Sequence, residues 1–111
     1  MNPPPGPPFR LAFSGAIGDE LRRLAERAAA LGIGPRFAAA LTEIRERLQS
    51  DPLTWGDPLY RLHNLGVVVC RRLTDRLLVE YAVHEAQRVV WLTAVLPVFG
   101  HPLSPDSPGG Q

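Results

Sequence analysis

The sequence predicts an α+β domain: a short N-terminal strand, an antiparallel helical hairpin, then a three- to four-stranded antiparallel β-meander. Three observations carry this expectation. Apolar residues between positions 17 and 48 recur at spacings of three and four, the period of a helix buried along one side. From Val67 onward the period changes to two, with β-branched residues in runs. Gly32, Gly34, Pro35, Pro52 and Gly56 punctuate the chain between the periodic stretches.

Phe9, Leu11 and Phe13 alternate with Arg10 and Ala12, which suits a strand, and Ser14 can cap the helix that follows. Ile17, Leu21, Leu24, Ala28 and Leu31 share one face of a helix over 17–31. Asp19 and Glu20 lie at its positive end, and Arg22–Glu26 and Arg23–Glu26 are expected to pair outside. Gly32 supplies a left-handed stop, and Ile33 the apolar contact beyond it.

Gly34-Pro35 opens a second helix, where proline's missing N–H costs nothing. Its buried stripe is Phe37, Leu41, Ile44 and Leu48, its outer pair Glu43–Arg47, and Ser50-Asp51-Pro52 ends it. A turn-rich loop over 53–58 carries Trp55 as a lid on the core edge, and 59–65 reads as a short strand or extended arm. Strands follow over 67–73, 77–83 and 89–95, joined by a turn at 74–76 and a hairpin loop at 84–87. Leu77, Val79, Tyr81 and Val83 fall on one face. Residues 1–8, mostly proline, are expected to be a disordered or polyproline-like arm. The domain is expected over 9–99, with a disordered tail over 100–111.

A length of 111 residues suits one domain with a workable core. No window approaches the ~18 to 20 apolar residues of a membrane span. The N-terminus MNPPPGPPFR has neither the basic nor the apolar region of a secretory signal. The single cysteine, Cys70, supports neither an internal disulfide nor a cysteine zinc site. The cytoplasm is the expected compartment.

Several chemistries lack their residues. All 12 basic residues are arginine, so no lysine can form a Schiff base. The glycines match neither dinucleotide nor Walker spacing, no nucleophile elbow exists, and no cofactor is expected. His63, His84 and His101 contain no close-spaced ligand pair, so no metal is expected. Cys70 beside His63 or His84 can be drawn as a nucleophile and base, but its apolar strand reads as core.

The net charge of +1 argues against non-specific nucleic-acid binding by bulk electrostatics. Yet residues 59–95 carry five arginines against three acids. Arg61, Arg71, Arg72 and Arg76 are therefore the candidate binding residues for a nucleic acid or partner, because guanidinium groups hold phosphates bidentately. Arg71 and Arg72 are adjacent on a strand and must point to opposite faces. A solvated sheet face explains the same group without function. Tyr81 as proton donor and His84, beside Glu85, as acid or base are the other catalytic candidates, with Arg71 and Arg76. The apolar alternation places Tyr81 in the core, and a turn explains His84.

The segments LRRLAERAAALGIG, FAAALTEIRERLQSDP and VVVCRRLTDRLLVEYAVHEAQRVVWLTAV, in this order, resemble the RelE/ParE toxin superfamily of bacterial toxin–antitoxin systems. LLVEYAV resembles the family's penultimate strand and VVWLTAV its last, and the resemblance covers residues 9–98. It implies a toxin neutralised by an antitoxin laid over the helical hairpin or a sheet edge. RelE-like members cleave ribosome-bound mRNA with basic residues and a tyrosine; ParE-like members inhibit DNA gyrase without them. One basic RNase position falls at Arg71, but its companion falls at Val69, and the next expected arginine falls near Leu78. The stretch 96–103 has neither arginine nor tyrosine where the family's tail has both. The resemblance therefore implies a module that binds the ribosome or gyrase. Its alternatives are a ribosome-dependent mRNA endoribonuclease and an inactive relative kept as an interaction domain.

Overall fold

The computed structural model describes residues 8–98 and 100–104. The expected Pro-rich arm, save Pro8, and the end of the expected tail lie outside these residues. Strand β1 (Arg10–Ala12) leads into helices α1 (Gly15–Ala30) and α2 (Gly34–Ser50) and a single turn, α3 (Pro52–Trp55). Strands β2 (Asp57–Leu62), β3 (Val67–Thr74), β4 (Leu77–His84) and β5 (Val89–Pro97) complete the chain. They form one five-stranded sheet in the order β1-β5-β4-β3-β2. The expected α+β class holds: β2 to β5 are an antiparallel meander, and β1 adds itself parallel to β5 at the far edge.

Local chemistry sets the element ends. The Ser14 hydroxyl accepts the Ile17 N–H at 3.2 Å, so α1 begins two residues earlier than the apolar stripe suggests. Gly32, at φ 78°, ends it, and the Ile33 N–H closes on the Ala28 carbonyl. Arg22 pairs with Asp19 and Arg23 with Glu20, not with Glu26 as expected. Helical side chains lean toward the N-terminus, which brings the earlier acid within reach. Arg47 pairs with Asp51, not with Glu43. The expected loop at 53–58 is instead α3 followed by the start of β2, and a 3-10 turn at His63–Leu65 closes the stretch read as an arm.

The meander is bent by two irregularities, between Pro58 and Tyr60 and between Glu80 and Tyr81. The β3–β4 turn is two residues, Asp75 and Arg76, both left-handed at φ 47° and 58°. The helices cover one face of the sheet. There Leu77, Val79, Tyr81 and Val83 of β4 pack with Leu24, Ala28, Phe37, Ile44 and Leu48 of the hairpin. Trp55 is buried as the expected lid, its ring centroid 6.1 Å from that of Tyr81. Gly56 must lack a side chain: a Cβ there would stand 2.5 Å from the Tyr81 hydroxyl.

The expected tail is corrected at its start. Gly100 takes φ 91°, and His101, Leu103 and Ser104 are buried, Leu103 within the core cluster. Leucine in reach of an uncovered core edge outweighs the turn-forming residues around it.

Candidate functional site

Alternation along the strands divides the sheet into two faces. The second carries none of the described helices. The pairing register arranges its side chains in four rows across β5, β4, β3 and β2. The first row is Leu96, Leu78 and Leu73. The second is Ala94, Glu80, Arg71 and Asp57. The third is Trp91, Ala82, Val69 and Tyr60. The fourth is Val89, His84, Val67 and Leu62. Trp91 is 49% and Tyr60 54% exposed, and Leu73, Leu96 and Leu62 are exposed beside them. Exposed apolar rows on both sides of a charged one are the kind of surface that marks an interaction site.

The candidate arginines do not converge on this face. Arg71 lies in its centre, donating to Glu80 at 3.0 Å. Arg72 lies on the helix side, as the strand alternation requires. It donates to the Trp55 carbonyl at 3.1 Å, with its guanidinium 5.6 Å from the indole centroid. Arg76 reaches from the β3–β4 turn to the Gly100 carbonyl at 3.3 Å, while the Val98 N–H bonds to its own carbonyl. Arg61, on the edge strand β2, is exposed and pairs in register with Val68 of the covered face. Three of the four thus have partners within the fold.

The catalytic candidates separate further. Tyr81 is fully buried and donates its hydroxyl to the Pro52 carbonyl; burial pushes its pKa well above the ordinary phenol value. A phenol in this state cannot meet a substrate. His84 closes the open face, its Nδ1 accepting the Gln87 N–H at 3.2 Å. Cys70 is fully buried, and desolvation raises its thiol pKa, the reverse of an activated nucleophile. Among the described residues no group of three histidine, cysteine, aspartate or glutamate side chains could hold a metal ion. No described helix is long and apolar enough to cross a membrane.

Two features escaped the sequence reading. A groove of about 150 Å³ runs between β1, the hairpin and β5, lined by Leu11, Phe13, Leu21, Leu41, Ile44 and Leu92. Its lining is almost wholly apolar. The other is a cluster where the C-terminal segment docks. Arg36 of α2 holds Asp75 at 2.8 Å and lowers its pKa. His101 packs close by, its Nδ1 accepting the Leu103 N–H at 3.0 Å. Burial, then the charge of Arg36, lowers the His101 pKa.

No family model, curated protein or solved structure matches the chain.

Proposed function

We propose that this chain is a RelE/ParE-like toxin-module protein that acts by binding a macromolecular target, the ribosome or gyrase, in the bacterial cytoplasm. The observation that carries the reading is the helix-free sheet face, with Trp91 and Tyr60 exposed around the Arg71–Glu80 pair. Flat aromatic groups around a charge pair suit macromolecular contact, since such side chains supply much area at little entropic cost. The order strand, helix, helix and antiparallel meander is the order on which the resemblance in the sequence rests. The apolar groove beside α1 and α2 suits an amphipathic segment of an antitoxin.

Binding is favoured over mRNA cleavage because the charged groups are spent within the fold. Arg71 pairs with Glu80, Arg76 with the Gly100 carbonyl, and Tyr81 is sealed under α3. Phosphoryl chemistry needs several cations aimed at one developing charge. Tightly induced expression in a bacterial host, with pulse labelling of protein and DNA synthesis, tests the reading. Prompt loss of one synthesis is expected, translation for a ribosomal target and DNA for gyrase. Undisturbed growth with soluble chain present would overturn it and leave an interaction domain.

A further inference from the structure

The register of the open face has a symmetry of its own. We propose that two copies of this chain pack their helix-free sheet faces together, about a twofold axis running parallel to the strands between β3 and β4. This inference does not rest on the toxin-like reading.

Such a rotation lays β3 over β4 of the partner and β2 over β5 of the partner, and it keeps each row over itself. Within each row the exchange sets an inner pair, β3 over β4, and an outer pair, β2 over β5. In the first, Leu73 meets Leu78 of the second copy. In the second, Arg71 meets Glu80 of the second copy, and its own Glu80 meets the other Arg71, so four charges of alternating sign close at the centre. In the third, Val69 meets Ala82, and Tyr60 meets Trp91, large over large at the rim and small over small in the middle. In the fourth, Val67 meets His84, and Leu62 meets the edge of Val89, which is already buried within its own chain. No like charges are opposed in any row.

Four strands at about 4.8 Å and seven or eight residues at about 3.3 Å give a footprint of about 20 by 25 Å. That is about 500 Å² per partner and about 1,000 Å² in all, the lower end for a specific interface, which fits a weak, concentration-dependent dimer. Aromatic and aliphatic residues flank the Arg71–Glu80 pair, and the further charge, Asp57, lies on the edge strand opposite Ala94 of the second copy. A nucleic acid would find a poorer surface, because Glu80 neutralises the one arginine at the centre. The paired state hides Trp91 and Tyr60, so self-association and capture of any target by this face exclude one another.

Sedimentation velocity of the full chain over a concentration series tests the proposal, with two charge-reversal variants, Arg71→Glu and Glu80→Arg. Each variant alone places like charges across the axis, and its dimer is expected to weaken ~10-fold or more. An equimolar mixture of the two restores opposite charges at every contact across the axis, and dimers are expected to return as the mixed species. Circular dichroism of each variant checks the fold, and recovery in the mixture cannot come from unfolded chains. A wild-type chain that stays monomeric near ~100 μM would overturn the proposal. So would reversal variants that dimerise as the wild type does, or a mixture that gains nothing over its components.

Discussion

The two faces of the sheet are built from alternate residues of the same strands, yet they serve different ends. On β4, Leu77, Val79, Tyr81 and Val83 are fully buried, while Leu78, Glu80, Ala82 and His84 between them are half-buried. The covered face satisfies every polar group it takes in: Tyr81 donates to the Pro52 carbonyl and Arg72 to the Trp55 carbonyl. The open face keeps Trp91, Tyr60 and three leucines in water. Leaving them there forgoes about 25 cal/mol per Å² of apolar area in the isolated chain. That loss is recovered only when something covers them. Folding thus rests on one face, and the proposed association on the other.

The sharpest way to break this division is to truncate matched leucines. Leu48→Ala, fully buried on α2 against the covered face, is expected to cost ~2–5 kcal/mol in denaturant unfolding. Leu73→Ala on the open face is expected to stay within ~0.5 kcal/mol when measured on dilute protein. Equal losses would mean that the open face is part of the core.

A smaller effect sharpens the limit of the covered side, where residues 100–104 dock. His101 is held neutral by burial beside Arg36 and Arg76, with Asp75 opposing them. Its folded pKa lies below the ordinary 6.5. The unfolded chain therefore takes up the proton first as pH falls through that value. Stability is complete above it and declines below. Urea midpoints near pH 7.5 and near pH 5.5 are expected to differ in that direction. His101→Gln is expected to narrow the gap. A gap unchanged by this substitution would assign the pH response to other groups.

Much of this arrangement is legible in the chain. Spacings of three and four located both helices, and alternation from Leu77 to Val83 named the buried face of β4 correctly. The same alternation required Arg71 and Arg72 to part, as they do. It could not say which of the two would face the helices, because β3 is apolar on both sides from Val67 to Val69. The parallel placement of β1 depends on how the hairpin crosses the sheet, a tertiary matter that three residues do not encode. His101, Leu103 and Ser104 were hidden among prolines and serines, whose turn-forming character masks a buried leucine. Alternation separates Arg71 from Arg72 but gives no partner for either, since Glu80 and the Trp55 carbonyl come from other elements. Arg76 is left-handed at the turn and reaches back to Gly100, which no local pattern signals.

The least disruptive change tests the central claim most directly. Tyr60→Ser with Trp91→Ser removes both exposed aromatic groups from the open face and no contact of the core cluster. Wild type and this double variant should be induced at matched soluble levels, their melting compared, and protein and DNA synthesis followed by pulse labelling. Similar melting of the dilute proteins is expected, together with loss of the proposed inhibition in the variant. A variant that folds as well and inhibits as strongly as the wild type would contradict it.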